Sequence, residues 1–71
     1  MAKFYRVSAQ HPMGSRSLDR LELQACPEVR GGWYAYGMLG CGKTCPSEIA
    51  AIHSLLDAEG YLRAGREIVK V

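Results

Sequence analysis

Residues 33–61 read WYAYGMLGCGKTCPSEIAAIHSLLDAEGY, a strand followed by a glycine-rich turn and a helix. The aromatic start favours an extended strand, which we place at 33–39. Pro46 suits the first turn of a helix and Gly60 suits the left-handed residue that ends one, so we expect a helix over 46–59 capped by Thr44 or Cys45. Its apolar positions recur at helical spacing and predict a stripe that covers a sheet. They are Ile49, Ile52, Leu55 and Leu56.

Three other segments carry strand signals. Residues 18–26 alternate apolar and polar with a period of two, and residues 3–9 and 66–71 do so less regularly. The predicted order is β-β-β-α-β, without a linker or an internal repeat. The 71 residues therefore predict a single α+β domain, residues 1–71, with one helix packed on a mostly antiparallel sheet of three or four strands.

Composition narrows the function classes. Apolar residues make up 48% of the chain and charged residues 23%, as in ordinary globular proteins. The net charge of +2 gives weak support for a nucleic-acid partner. No apolar run approaches the ~18 residues of a membrane span, so we expect a cytoplasmic protein without a membrane partner. The three cysteines, an odd number, would remain thiols in a reducing compartment.

Residues 37–44 spell G-x-x-x-x-G-K-T, the pattern of a phosphate-binding loop. In that motif Lys43 would reach the phosphates and Thr44 would hold Mg²⁺. The pattern normally belongs to a larger parallel sheet, and its helix normally begins before a position such as Pro46. We interpret the segment as a glycine-rich turn and keep nucleotide binding as an alternative. That alternative would use Gly37, Gly42, Lys43 and Thr44.

Cysteine and histidine spacing allows a zinc site as a further alternative. Its ligands would be Cys26, Cys41, Cys45 and His53. The C-x₃-C spacing departs from the usual C-x₂-C of structural zinc, and free cysteines commonly act as small hydrophobic residues. The sequence also allows a disulfide between Cys41 and Cys45 or between Cys26 and Cys41. No catalytic triad or carboxylate pair is apparent, so the sequence predicts neither an enzyme nor a cofactor.

Aromatic residues supply the favoured functional signal. Alternation places Trp33 and Ala35 on one face of their strand and Tyr34 and Tyr36 on the other. A single helix covers one face of a sheet, so the far face presents whichever rings point away from it. Aromatic side chains near arginines are typical of interface hot spots. The interface candidates are Tyr5, Arg6, Arg20, Trp33, Tyr34 and Tyr36. The competing explanation is that the rings simply fill the core.

We therefore expect a non-catalytic interaction module that binds another protein or its own copy. Small size alone suggests an accessory or inhibitory protein of a phage or mobile element. One alternative is a single-stranded nucleic-acid binder that uses the sheet aromatics. The other is a nucleotide- or zinc-binding protein acting through residues 37–45.

Overall fold

The computed structural model describes all residues 1–71 and packs one helix against a five-stranded antiparallel sheet. The elements are β1 (Lys3–Ala9), a 3-10 turn (Gly14–Arg16), β2 (Leu18–Pro27), β3 (Trp33–Gly37), β4 (Gly40–Cys41), α1 (Glu48–Ala58) and β5 (Glu67–Lys70). The strands lie in the order β4-β3-β2-β1-β5. The predicted α+β class is confirmed, although the sheet has one strand more than the three or four expected.

The additional strand is β4, which arises from the glycine-rich segment. The strand predicted over 33–39 ends at Gly37, and the chain turns back through Gly40 at a φ of 110°. Gly42 continues the pairing, because its N–H donates to the Ala35 carbonyl at 2.8 Å. Glycines have low strand propensity, so this hairpin gives little sequence signal.

The helix begins later than predicted. Ser47 is the N-cap instead of Thr44 or Cys45, and its hydroxyl accepts the Ala50 N–H at 3.1 Å. The end is as expected, since Gly60 has a φ of 85° immediately beyond the helix. Ile49 is 43% exposed, which corrects its place in the apolar stripe.

The buried stripe of α1 is centred between Ile52 and Leu55, and Ile49 lies roughly a quarter turn away. The core contains these helix residues and every second residue of the sheet. Its members are Tyr5, Val7, Ala9, Leu23, Ala25, Ala35, Cys45, Ala51, Ile52, Leu55, Leu56 and Tyr61. All of the helix contacts go to one face of the sheet, and the opposite face has no covering element.

Candidate functional site: the open sheet face

The open face is the side of the sheet that points away from α1. Strand pairing defines it, since residues directly opposite one another share a face. Phe4 lies opposite Gln24, which lies opposite Tyr36. Its members are Phe4, Arg6, Ser8, Glu22, Gln24, Cys26, Tyr34, Tyr36, Cys41, Glu67, Val69 and Val71.

Large apolar side chains are exposed along one row of this face. Phe4 is 40% exposed and Tyr36 is 51% exposed, with Gln24 between them. Val71 joins the row beside Phe4, because its N–H donates to the Phe4 carbonyl at 2.9 Å, and it is 63% exposed. Val69 follows in the next row at 60% exposure. Isolated exposed apolar groups are ordinary, and it is large contiguous patches that mark interaction surfaces. Here Gln24 separates the rings of Phe4 and Tyr36, and Val71 and Val69 add apolar surface beside Phe4.

Charges on the open face are close to balanced. Arg6 lies directly opposite Glu22 on the neighbouring strand, so the two charges offset each other. Arg20 lies at an irregularity of β2 with a φ of 60°, where its N–H donates to the Ser8 hydroxyl at 3.0 Å. Glu67 lies opposite Ser8 on the other side. The face therefore has no continuous track of positive charge.

Tyr34 lies on the open face opposite Cys26, with Cys41 on the next strand. The neighbouring Cys26 raises the pKa of Tyr34 above the usual value, first through the negative charge that Cys26 carries once it ionises and then through a hydrogen bond between the two side chains. The phenol therefore keeps its proton at neutral pH and remains a hydrogen-bond donor beside the exposed ring of Tyr36.

Two of the predicted interface residues point to the helix side instead. Tyr5 is 4% exposed and donates its hydroxyl proton to Glu48 Oε1 at 2.5 Å. Burial, with the Glu48 hydrogen bond, raises the pKa of Tyr5 to about 12. Trp33 is half-buried against the core. Of the other four candidates, Arg6, Tyr34 and Tyr36 lie on the open face, and Arg20 lies at the irregularity of β2. Phe4, which was not a candidate, joins the open face.

The G-x-x-x-x-G-K-T segment has a different geometry from a phosphate-binding loop. Gly37 and Gly42 belong to the β3–β4 hairpin, where the Gly42 N–H is used by the sheet. The Thr44 hydroxyl donates to Glu28 at 3.1 Å, and Lys43 is exposed. The helix begins at Glu48, so the segment does not wrap the helix N-terminus as that motif requires.

The proposed zinc ligands lie in separate parts of the fold. Cys26 and Cys41 are on the open face, Cys45 is buried on the helix side, and His53 lies on α1. No group of three or more potential metal ligands comes together anywhere in the structure. All three cysteines are free thiols.

Beside α1 lies an open depression of about 940 Å³, bordered by Lys43, His53 and Asp57 among others. Its charges are mixed, and no buried polar side-chain atom in the structure lacks a hydrogen-bond partner. The depression therefore contains no buried polar side-chain atom that is left unpaired.

Sequence reasoning missed a buried arginine, because its partners come together only in the folded chain. The Arg66 side chain is 2% exposed, and its guanidinium donates to His53 Nδ1 at 2.9 Å and contacts Asp57 Oδ1 at 3.1 Å. It also donates to the carbonyls of Tyr61 at 2.8 Å and Leu62 at 3.2 Å. We name these groups the Arg66 network. It joins α1 to the loop that leads into β5.

The Arg66 network makes folding sensitive to mild acid through His53. Burial, followed by the charges of Arg66 and Arg63, lowers the pKa of His53, while Asp57 acts in the opposite direction. Below about pH 6.5 the unfolded chain takes up a proton that the folded chain resists. We expect the free energy of unfolding to have its highest value above this pH and to decrease as the pH falls below it. Urea titrations across pH 5–8 measure this.

A His53→Gln variant is the control for that dependence, because it retains His11 and every carboxylate. Subtracting its stability profile from that of the wild type isolates the His53 contribution. Superimposable profiles would contradict the role of His53 as an uncharged acceptor.

No helix of the structure has the length and apolar character needed to cross a bilayer. No protein-family model, curated protein or solved structure matches the chain.

Proposed function

We propose that this protein is a non-catalytic protein-binding module that uses the open face of its sheet. The observation that supports the proposal is the row of exposed apolar side chains on a face without a covering element. Phe4 and Tyr36 contribute rings to this row, and Val69 and Val71 extend it across β5.

The composition of the face favours a protein surface as its occupant. Five strands about 4.8 Å apart make a face about 19 Å wide. Because Arg6 is offset by Glu22, the occupant is a flat, largely apolar protein surface without a strong charge. A module of this kind acts by covering its partner, as an accessory or inhibitory protein of a phage or mobile element would.

Tyr36→Ala tests the open face directly. We expect this variant to bind its partner about tenfold more weakly, since truncating an interface tyrosine commonly costs more than 1 kcal/mol. The partner is found with a photo-crosslinking residue placed at position 36 or, in parallel, at position 29. The identified partner is then purified, and its dissociation constant is measured by calorimetry against each variant.

Val29→Ala is the matched control, because Val29 is fully exposed in the β2–β3 turn, away from the open face. It should leave affinity unchanged. Equal crosslinking from positions 29 and 36, or full affinity of Tyr36→Ala, would contradict the proposal.

Single-stranded nucleic acid is the second candidate occupant, favoured by Tyr34 and Tyr36 on one exposed face. Stacking on such rings is tolerant of sequence, and phosphate contacts make affinity depend on salt. Titration with a fluorescent oligothymidylate distinguishes the two occupants. Binding that weakens with salt and with Tyr36→Ala would favour nucleic acid, whereas a flat titration at low salt would leave the protein partner.

A further inference from the structure

The outer edge of β5 carries unpaired backbone groups. The Val71 N–H donates to the Phe4 carbonyl, and the register places Val69 opposite Arg6. Since hydrogen-bonded positions alternate along an antiparallel pair, the odd-numbered residues of β5 direct their backbone groups towards β1. The backbone N–H and C=O groups of Ile68 and Lys70 therefore point away from the sheet, and no other element pairs with them.

The two edges of the sheet differ in how well they are protected. At one edge β4 has two residues, the first of them glycine, and short edge strands resist pairing. At the other edge β5 has four residues, without a proline or a bulge. The Lys70 side chain is drawn over the core face by Glu48, with the Lys70 Nζ and Glu48 Oε1 atoms 3.7 Å apart. This leaves the backbone edge of β5 accessible.

We propose that β5 pairs with β5 of a second copy of this chain across a two-fold axis perpendicular to the sheet. Such an axis leaves the open faces of both copies on the same side of the extended sheet. An odd-numbered residue of β5 can then lie opposite only an odd-numbered residue of the partner strand, and an even-numbered residue opposite only an even-numbered one. With Val69 opposite Val69 of the partner subunit, Ile68 lies opposite Lys70 of the partner subunit. All the unpaired groups of Ile68 and Lys70 are then used, in four hydrogen bonds.

The register with Ile68 on the axis would pair fewer of the outward-pointing backbone groups. If Ile68 lay opposite Ile68 of the partner subunit, Lys70 would face Arg66 of the partner subunit. The Arg66 N–H already donates to the Arg63 carbonyl at 3.2 Å within its own chain. That register would also bring together two positively charged residue types. The register with Lys70 on the axis would set two lysines directly opposite one another, which is unfavourable. The edge is therefore most complementary to itself with Val69 on the axis.

The paired assembly is a continuous antiparallel sheet of ten strands, five from each copy. The two Val69 side chains meet on the open face and join the apolar rows of both copies into one surface. An edge contact buries less surface than a standard interface. We therefore expect a weak dimer that forms only at high protein concentration. It enlarges the surface proposed above without depending on that surface having a partner.

Sedimentation equilibrium on the purified chain, at up to about 1 mM, tests the pairing. We expect the apparent mass to rise towards twice 7.8 kDa with concentration. Val69→Glu and Val69→Lys should each abolish the rise, because like charges would meet on the axis, and an equimolar mixture should restore it. Val29→Glu is the matched control and should dimerise as the wild type does. A wild type that stays monomeric, or a Val69→Glu variant that still dimerises, would overturn the proposal.

Amide hydrogen exchange by NMR gives a test that needs no substitution. The amides of Ile68 and Lys70 should exchange more slowly as concentration rises, whereas the Val69 amide is protected by β1 at every concentration. Concentration-independent exchange at Ile68 and Lys70 would overturn the β5 pairing even if some other dimer formed. Tyr36→Ala should leave both measurements unchanged, which separates this pairing from the partner-binding function.

Discussion

Replacing Arg66 with alanine is expected to lower the free energy of unfolding by about 3 kcal/mol. The substitution removes a guanidinium whose side chain is 2% exposed, and it leaves His53 Nδ1 and the Tyr61 carbonyl without the donor that satisfies them. A chain of 71 residues has about 4–10 kcal/mol of stability in total, so this loss is a large share. Urea denaturation followed by far-UV circular dichroism measures it.

Arg63→Ala is the matched control for that prediction. Arg63 also contacts Asp57, with Nη2 and Oδ2 2.5 Å apart, but its side chain is 68% exposed. An exposed ion pair contributes at most about 1 kcal/mol, so this variant should remain close to the wild type. Arg66→Lys should recover only part of the loss, because one ammonium cannot reach partners placed for a planar guanidinium. Equal losses for the two alanine variants would contradict a special role for the buried arginine.

The Arg66 network also bears on the surfaces proposed for function. It fixes the loop between α1 and β5, and β5 supplies Val69 to the open face together with the edge that we propose pairs with a second copy. Loosening this loop by Arg66→Ala should therefore weaken self-association at temperatures where the chain is still folded. The stability of the fold and the presentation of the edge depend on the same side chain.

Local patterns predicted most of the fold. Alternation of apolar and polar residues located β1 and β2 within one residue at each end, and Gly60 marked the end of α1. These signals work because the alternation along a strand and the glycine that ends a helix depend only on residues that are close together in the sequence. The β4 strand and the Ser47 cap were missed, since glycine-rich hairpins lack propensity and several polar residues precede the helix.

The site was predictable only in part. The alternation of side chains along a strand was enough to place Tyr34 and Tyr36 on one face and Trp33 and Ala35 on the other, and the structure confirms that division. The alternation does not say which face of the sheet meets the helix, so it could not show that Tyr5 is buried on the helix side. The Arg66 network depends on side chains up to 13 positions apart that meet across a loop, and no local pattern reports such a meeting.

A second large loss of stability is expected when Gly32 is replaced by alanine, by about 3 kcal/mol. Gly32 has a φ of 85°, which by itself costs an L-residue roughly 1–2 kcal/mol. An added Cβ would also lie 2.8 Å from Thr44 Cγ2 and 2.9 Å from the Cys45 carbonyl oxygen. The second of these is backbone, held in place because Trp33 and Cys45 exchange N–H···O bonds of 2.8 and 2.7 Å. Relief of the contact would therefore strain that pairing, at a further cost of about 1–2 kcal/mol.

Gly31→Ala separates the backbone cost from the contact. Gly31 has a φ of 100°, but an added Cβ there meets nothing within 4 Å, so we expect a loss of only about 1–2 kcal/mol. Thermal and urea unfolding of the two variants give the comparison. Equal losses would mean that the Trp33–Cys45 pairing yields to the added methyl group. A larger loss for Gly32→Ala would show that this pairing is rigid, and a rigid pairing holds the segment before α1 against β3, so that the helix stays on one face and the other remains open.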